Sequence, residues 1–336
     1  YALMSTASQV AISVDAPGKV NLYLAVGDVR PDGYHPLTTL FAAVSLTETI
    51  TVSKGQVPGL SLSMDIVPGS LVDQQMQAGQ FDPAAVPMDE RNLVYRAAEL
   101  ILTEHGIESV PALHLHIAKA VPVAGGMAGG SADAAAALIA TDRYLHATGC
   151  TGALLTQTDY ERLAAQLGAD IPFSARAALG QTFALGQGTG TELQNVEAPP
   201  ESLHLVIVAA QFGLATPSVF KQLDAGRAAG EYPASGELVE PVELLEALNS
   251  YDGSEAALAS LAPLLRNDLQ APALSCAPQL EQTLNLRDSE GVYASLVSGS
   301  GPTVLLLVSS QARAEALASA LRATGNHAVA TKVTSA

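Results

Sequence analysis

The sequence is poor in cysteine, in basic residues and in long apolar runs. Its 336 residues include two cysteines, Cys150 and Cys276, and no tryptophan. Two thiols so far apart argue against a disulfide framework and against a cysteine metal knuckle, and they fit a reducing cytoplasm. No apolar run approaches the roughly 20 residues of a membrane-spanning helix. The first nine residues lack the basic and then apolar order of a secretory signal, so we expect a soluble cytoplasmic protein.

Basic side chains are outnumbered by acidic ones. There are 16 Lys and Arg against 33 Asp and Glu, which gives a formal net charge of −17. Nucleic acids and anionic membranes are bound by clustered cations that release counterions, so this composition argues against both as partners. A small molecule that carries phosphate would have to be held locally, by main-chain N–H groups and a few cations.

The length predicts two domains, because 336 residues exceed what one compact core usually supports. Apolar residues make up 48% of the chain and charged residues 15%, which is enough to fill two cores. The pair Pro199 and Pro200 is the linker candidate. It predicts an N-terminal domain over residues 10–198 and a C-terminal domain over residues 201–334.

Hydrophobic periodicity predicts a mixed, α+β order of elements. Residues 55–88 read as irregular, and Asp89 as the N-cap of a helix. In the first part we predict strands at 10–14, 20–26 and 113–117, a turn at 16–19, and helices at 89–105, 131–146 and 159–167. In the second part we predict helical stretches between 217 and 286, strands at 203–209, 291–297, 303–308 and 328–333, and a helix at 312–323.

Four glycines lie in the segment 121–133, V-P-V-A-G-G-M-A-G-G-S-A-D, between a predicted strand and a predicted helix. A tight strand-to-helix turn would account for one or two of them. Four let the backbone approach an anion, and the helix that begins near Ser131 adds its unpaired N–H donors. Ser131 stands where a Walker A loop has lysine, and Met127 breaks the G-x-G-x-x-G fingerprint. The segment therefore predicts a phosphate-binding loop of another type.

This loop resembles the second motif of the GHMP kinases, from which it departs at Ala124, Ala128 and Ala132, where the family often has Gly, Gly and Ser. Residues 16–24, A-P-G-K-V-N-L-Y-L, resemble the first motif, and residues 297–303, V-S-G-S-G-P-T, resemble the third. One short Gly/Ser run is usually only a turn. Three such motifs in order span nearly the whole chain, and on that ground the chain is identified as a member of this family.

The resemblance implies a two-domain fold, with an N-terminal ribosomal-protein-S5-domain-2-like fold and a C-terminal ferredoxin-like α/β sandwich. It implies ATP with Mg²⁺ as the phosphoryl donor. Ser131 is a candidate metal ligand, and the sequence shows no carboxylate cluster that would hold the metal. The residues that it assigns to ATP are Asn92, Lys119, Pro122, Gly125, Gly126, Gly129, Gly130 and Ser131. Without the resemblance, Asn92 reads as a residue of a helix's first turn and Lys119 as an exposed strand end.

Residues 167–173, L-G-A-D-I-P-F, resemble the family segment that carries the catalytic aspartate. The resemblance implies that Asp170 is the general base and that Lys19, from the first motif, pairs with it beside the acceptor hydroxyl. By itself, an aspartate before a proline is more often a turn residue, and Lys19 would be a solvated cation. A carboxylate within reach of a hydroxyl can take its proton, and an ammonium keeps that carboxylate ionised and offsets charge on the moving phosphoryl group.

Residues 30–35, R-P-D-G-Y-H, resemble a turn of the branch of the family that phosphorylates a cytidine-diphosphate-linked methylerythritol. The resemblance implies that Tyr34 stacks on cytosine and that His35 hydrogen-bonds the polar edge of the base. Without it, the Tyr-His pair would be read as surface residues beyond an Asp-Gly turn.

Residues 215–221, A-T-P-S-V-F-K, resemble a second segment of the same branch. They imply that Phe220 is the other aromatic wall of the base site and that Thr216 lines the acceptor site, while Asn21 contacts the acceptor's hydroxyl groups. Stacking of a base on aromatic rings is worth about 1–3 kcal/mol, which suits a nucleotide handle on the substrate.

Three other functions stay open. Another GHMP kinase, with mevalonate, homoserine or a sugar as acceptor, would not need the Tyr-His turn. A catalytically silent nucleotide-binding protein would not need both Lys19 and Asp170. A dinucleotide-dependent dehydrogenase is disfavoured by Met127. His114 and His116 share a strand face, but no third ligand has suitable spacing, so we read them as partly exposed polar positions and not as a metal pair.

Overall fold

The computed structural model describes residues 10–122 and 125–333. The strands are β1 (Ala11–Val26), β2 (Leu37–Lys54), β3 (Gly59–Ile66), β4 (Ala112–Lys119), β5 (Phe183–Gln187), β6 (Glu192–Asn195), β7 (Leu203–Ala209), β8 (Arg266–Asn267), β9 (Val292–Val297), β10 (Val304–Val308) and β11 (His327–Val333). The helices are α1 (Leu71–Gln77), α2 (Leu93–Glu104), α3 (Gly129–Ala147), α4 (Gln157–Ala164), α5 (Ile171–Ala178), α6 (Thr216–Ala228), α7 (Val242–Asn249), α8 (Glu255–Leu261), α9 (Gln270–Cys276), α10 (Leu280–Leu284) and α11 (Gln311–Ala323).

Strand β1 runs through the turn that we predicted at residues 16–19, so that prediction was wrong. The strand pairs antiparallel with β2 along its whole length, with shifts of register between Pro17 and Lys19 and between Asn21 and Tyr23. A β-bulge inserts a residue while pairing continues on both sides. The bulges therefore re-aim the polar side chains of the first motif while keeping them on a rigid strand.

Helix α3 is the centre of the N-terminal core. It contacts β1, β2, α2 and α5, and every side chain from residue 132 to residue 142 is buried. Alanine is the best helix former and loses no side-chain entropy on burial, so an Ala-rich helix can be packed closely on several sides. This packing fixes the end of α3 that faces the glycine loop.

The C-terminal sheet has the order β11-β7-β10-β9, and all neighbours in it are antiparallel. Along the chain these strands come as β7, β9, β10 and β11, with helices after the first and the third. That is the ferredoxin-like arrangement, as the resemblance implied. The two sheets join where β11 meets β2, at the pair Val333 and Val44.

Several elements of the N-terminal part differ from the predictions. The helix predicted from Asp89 begins at Leu93, because the side chain of Asn92 accepts the Val94 N–H and caps it. The helix predicted at 159–167 begins two residues earlier, where Thr156 and Asp159 form a capping box. The segment read as irregular contains β3 and α1, and strand β2 and helix α5 were not predicted at all.

Pro199 and Pro200 lie between β6 and β7, so the proposed boundary between the domains falls in a connection. Within the described ranges, the structure contains no helix long and apolar enough to cross a membrane. Cys150 and Cys276 are exposed and unpaired. Ala124, one of the three alanines that depart from the second motif, lies outside the described residues, as does residue 334.

Candidate active site

A cavity of about 520 Å³ lies where the three motif segments meet. It is lined by Lys19, Asn21 and Leu24 of β1, the glycine loop, the start of α5, the start of α6 and the Gly/Ser loop between β9 and β10. The predicted site residues among its lining are Lys19, Asn21, Gly125, Gly126, Gly129, Gly130, Ser131, Asp170, Thr216 and Phe220. The structure thus brings most of the predicted residues into one concave site.

Lys19 and Asp170 form an ion pair in the wall of this cavity. Lys19 Nζ lies 3.6 Å from Asp170 Oδ2; the Lys19 side chain is nearly buried, whereas that of Asp170 is 40% exposed. Lys19 Nζ also donates to Asn21 Oδ1 at 2.8 Å, and Asn21 Nδ2 donates to Thr39 Oγ1 at 2.7 Å. The ammonium is therefore oriented by the strand pair β1–β2, while the carboxylate remains accessible from the cavity.

Asp170 is the N-cap residue of α5, and its side chain makes no capping hydrogen bond. Pro172 lies in the first turn of the helix, where a missing N–H costs nothing. The sequence pattern had indicated a proline-fixed turn here. The helix instead holds the main chain of Asp170 fixed and leaves its carboxylate available to a ligand.

The glycine loop passes close to main-chain atoms on both of its sides. A Cβ at Gly126, whose φ is +78°, would overlap the carbonyl oxygen of Ser298, and one at Gly129 would lie 2.7 Å from that of Val121. Real Cβ atoms do not approach oxygen so closely, so these two positions require glycine. The loop is held further by Lys19 N, which donates to Met127 O at 3.1 Å, and by Ser298 Oγ, which donates to Gly126 O at 3.0 Å.

Three helices direct their N-terminal ends at the cavity. The first turn of α3, the N-cap of α5 and the first turn of α6 all belong to its lining. Each helix end carries unpaired N–H groups and about half a positive charge. Lys19 is the one cationic side chain among the described residues of the lining, so backbone dipoles supply most of the attraction for an anion.

The loop between β9 and β10 is tied to its surroundings by side chains that the sequence did not single out. Asn267, in β8, donates to the carbonyl oxygens of Val297 and Gly299, both at 2.7 Å. Ser300 Oγ lies 2.7 Å from Thr216 Oγ1 at the start of α6. The loop therefore connects the glycine loop to α6. Nothing in the pattern around Asn267 marks it, because its role depends on strand pairing with β1.

The predicted base site is only partly assembled. The rings of His35 and Phe220 lie against each other, with centroids 4.9 Å apart and planes at 39°. His35 Nε2 lies 2.7 Å from Asp224 Oδ1. Tyr34 is 65% exposed, and its main-chain N–H donates to Asp32 Oδ1.

Three residues assigned to ATP, Asn92, Pro122 and Lys119, do not line the cavity. Asn92 caps α2, with Oδ1 accepting from Val94 N and Nδ2 donating to Pro87 O, so its amide is already used. The next residue, Leu93, does line the cavity. Pro122 lines a smaller cavity of about 250 Å³, which shares Gly125 with the main one.

The chain matches two family models and several known proteins. A family model described as GHMP kinases N terminal domain matches residues 92–178, and one described as GHMP kinases C terminal matches residues 243–327. The chain is 41% identical over 321 residues, 95% of its length and 91% of the other protein, to the 4-diphosphocytidyl-2-C-methyl-D-erythritol kinase of Pseudarthrobacter chlorophenolicus. The chain belongs to the GHMP kinase family.

A second relative and a solved structure support the same family. The 4-diphosphocytidyl-2-C-methyl-D-erythritol kinase of Mycobacterium avium is 44% identical over 304 residues, which are 90% of this chain and 84% of that protein. A crystal structure of a 4-(cytidine 5′-diphospho)-2C-methyl-D-erythritol kinase superposes with a TM-score of 0.73 at 29% identity, covering 97% of this chain and all of that one. The two-domain GHMP kinase fold is thereby confirmed.

Lys119 of this GHMP kinase is buried and not an exposed strand end. Its Nζ lies 2.5 Å from Glu48 Oε1 and 2.6 Å from Asp133 Oδ2. Glu48 also accepts the N–H groups of Ala120, at 2.8 Å, and Val121, at 3.1 Å. This buried triad of Lys119, Glu48 and Asp133 joins β2, β4 and α3 below the glycine loop. The Lys119 ammonium is occupied, so only its main chain is left to meet a nucleotide.

The triad should make stability depend on pH. Burial, with the nearby Asp133 carboxylate, raises the pKa of Glu48 from 4.5 to about 7. Between pH 4.5 and about 7, Glu48 is protonated in the folded chain and ionised in the unfolded chain. The contribution of this group to the free energy of unfolding is therefore complete below pH 4.5 and is lost as the pH rises through 7. We expect Glu48→Gln to flatten the fall in the free energy of unfolding over that window, measured by urea titration at several pH values. An unchanged slope would contradict the assignment.

Ala128 adopts the left-handed conformation, with φ +56° and ψ +38°, at the N-cap of α3. An L-residue there costs about 1 kcal/mol or more relative to glycine, part of which is offset by the greater freedom of glycine in the unfolded chain. We expect Ala128→Gly to raise the free energy of unfolding by up to about 1 kcal/mol. The matched control is Ala132→Gly, inside α3, which should lower it by a similar amount. Equal losses in both variants would show that Ala128 is not strained.

Proposed function

We propose that this chain transfers the γ-phosphoryl group of ATP to the 2-hydroxyl of 4-diphosphocytidyl-2-C-methyl-D-erythritol, in the non-mevalonate route to isoprenoid precursors. One observation carries the proposal. Lys19 and Asp170 meet at 3.6 Å in a cavity whose facing wall is a glycine loop at the start of a helix. That arrangement supplies an acid–base pair and an anion site within reach of each other, as phosphoryl transfer to an alcohol requires.

The glycine loop is the proposed seat of the ATP phosphates. Gly126 and Gly129 let the loop pack against neighbouring main-chain atoms, and the first turn of α3 offers N–H donors with no side-chain cap competing for them. The Ser131 hydroxyl lies in the same wall. ATP binding rests on these groups because the lining offers few cations.

Asp170 is the proposed general base. Its exposed carboxylate would accept the proton of the acceptor hydroxyl as the bond to phosphorus forms. Lys19 would stabilise negative charge, both on that carboxylate before transfer and on the phosphoryl oxygens during it. Asn21, which accepts from Lys19 and donates to Thr39, keeps the ammonium directed at the cavity.

Mg²⁺ is proposed as the companion of ATP. The described residues contain no group of three His, Cys, Asp or Glu side chains placed to hold a metal ion. Magnesium in phosphoryl-transfer sites is commonly held by phosphate oxygens and water with one or two protein ligands, so the Ser131 hydroxyl beside the phosphate loop fits such an ion. Bound there, the ion would offset charge on the phosphates.

The acceptor's cytidine end is proposed to bind between Tyr34 and the pair of His35 and Phe220. The rings of His35 and Phe220 already pack against each other, and the exposed Tyr34 ring lies on a turn held by Asp32. We further propose that the domains divide at Pro199 and Pro200 and that the protein works in the cytoplasm, where its two exposed thiols would stay reduced.

Turnover on a panel of acceptors tests the proposal. Release of ADP should be fast with 4-diphosphocytidyl-2-C-methyl-D-erythritol and at background with mevalonate and homoserine, all at the same ATP concentration. The cytidine handle adds stacking and hydrogen bonds that the other acceptors lack, so kcat/KM should differ by at least about 10². Faster turnover on mevalonate would reassign the acceptor, and ATP binding without turnover on any alcohol would indicate a catalytically silent protein.

A further inference from the structure

Helix α6 connects the cavity to the turn at residues 30–35 through one of its faces. Thr216, Phe220, Asp224 and Arg227 follow at spacings of four, four and three, so their side chains lie along one side of the helix. Thr216 and Phe220 line the cavity. Asp224 reaches His35, and Arg227 donates to the main-chain carbonyl of Val26, the last residue of β1, at 2.8 Å and to that of Gly27 at 3.1 Å. The helix therefore holds the acceptor turn at both ends.

His35 is fixed more firmly than a surface histidine. Its side chain is only 7% exposed, one face packs against Phe220, and Nε2 lies 2.7 Å from Asp224 Oδ1. Among the described residues, no side chain or main-chain group forms a hydrogen bond with Nδ1. One ring nitrogen is thus occupied by a carboxylate, and the other is left for a ligand.

The carboxylate decides where the proton of a neutral imidazole sits. An ionised aspartate accepts hydrogen bonds and donates none, so the nitrogen that faces it must carry the N–H. In the neutral ring the other nitrogen then has a lone pair and accepts. With Asp224 on Nε2, the free Nδ1 of His35 is an acceptor.

We propose that Asp224 is a positioning residue that sets the base specificity of the acceptor site, by keeping the proton of His35 on Nε2 so that Nδ1 accepts the amino group of cytosine. This inference rests on the proposed function. Cytosine presents an N–H donor at C4, whereas uracil presents a carbonyl oxygen there. Against uracil, two acceptors would face each other and both would stay unpaired, which a partly buried site penalises. The same geometry therefore admits cytidine and rejects uridine.

Binding of two nucleotides tests the inference without any turnover. By calorimetry, cytidine 5′-diphosphate should bind the whole chain about tenfold to a hundredfold more tightly than uridine 5′-diphosphate, the range expected for one unpaired polar contact. In Asp224→Asn the amide N–H can donate to Nε2 and move the imidazole proton to Nδ1, as the same exchange does in a Ser-His-Asp triad. The preference should then fall to about onefold or invert, with ATP affinity and the unfolding midpoint unchanged.

The chain offers a matched control. Asp65 also pairs with a histidine, His116, at 3.6 Å, but on an exposed strand, with the Asp65 side chain 84% exposed. Asp65→Asn should leave the cytidine preference as in the wild type. If Asp224→Asn also kept it, or if the wild type bound both nucleotides equally, the inference would be overturned.

The tautomer itself can be read from ¹⁵N spectra of histidine-labelled wild-type protein, with His35→Gln identifying the signal of His35. A neutral ring protonated on Nε2 is expected; a ring protonated on Nδ1, or on both nitrogens, would sink the inference. Turnover of the cytidine-linked alcohol by the wild type separates the two hypotheses. If His35 is not protonated on Nε2 but the wild type turns over this alcohol, the inference about Asp224 is wrong and the proposed phosphoryl transfer is unaffected. If turnover is absent but the cytidine preference is present, the proposed function is wrong and the inference about the base site is unaffected.

Discussion

Replacing Asp170 by asparagine is expected to lower kcat by about 10²–10⁴, the usual contribution of a general base. Asparagine keeps the size and shape of the side chain but cannot take the proton of the acceptor hydroxyl. The measurement is steady-state ADP release with the cytidine-linked methylerythritol at saturating ATP. Because ATP does not contact this carboxylate in the proposed arrangement, the KM for ATP should change little.

The substitution is a clean test because Asp170 makes no side-chain cap to α5. The substitution removes the ion pair with Lys19, but Asn21 Oδ1 still accepts from that ammonium, so the free energy of unfolding should fall by no more than about 1 kcal/mol. Asp288→Asn, at a side chain that is 80% exposed, is the control and should keep full activity. Wild-type turnover in folded Asp170→Asn would refute the proposed base.

Replacing Lys119 by methionine is expected to lower the free energy of unfolding by about 3–5 kcal/mol, since it leaves buried carboxylates without their cation. Glu48 and Asp133 are both buried, and both hydrogen-bond to this ammonium at 2.5–2.6 Å. Urea or thermal unfolding measures the loss. The pKa values of both carboxyls, already raised by burial, should rise further, because the attraction of Lys119 opposes that effect.

Lys54→Met serves as the control, because Lys54 is an exposed residue at the end of β2. It should change stability by less than about 0.5 kcal/mol. A loss of similar size in both variants, or of less than about 1 kcal/mol in Lys119→Met, would mean that the buried triad does not stabilise the base of the glycine loop.

The C-terminal elements could be predicted closely because their boundaries are local. Strand β10 is a continuous apolar run, and α11 begins after Ser310, whose side chain accepts the Arg313 N–H. Strand β2 could not be predicted in the same way. It is rich in Thr, Ala and Ser, and residues such as Thr38 and Thr39 are buried only because β1 and β5 cover them. Burial that is created by distant partners leaves no periodic signal in the strand itself.

The residues of the candidate site also differ in whether the sequence could predict them. The glycine loop was predictable from composition, since four glycines before a helix are more than a tight turn needs. The pairing of Lys19 with Asp170 came from the resemblance, and no spacing in the chain would have suggested it. Glu48, Asp133, Asn267 and Asp224 were missed. Each acts through partners that are remote in sequence, and a lone polar residue in a strand or helix does not reveal whether such partners exist.

The three helix ends at the cavity suggest how a strongly acidic protein could bind a polyanion. Peptide dipoles attract only within the first turn of a helix, so their field is confined to the cleft while the outer surface of a chain with net charge −17 remains repulsive. A polymer of phosphates would meet that surface first. A metabolite small enough to enter would exchange water for fixed main-chain N–H groups, so we expect the cavity to favour small phosphorylated molecules over polymers.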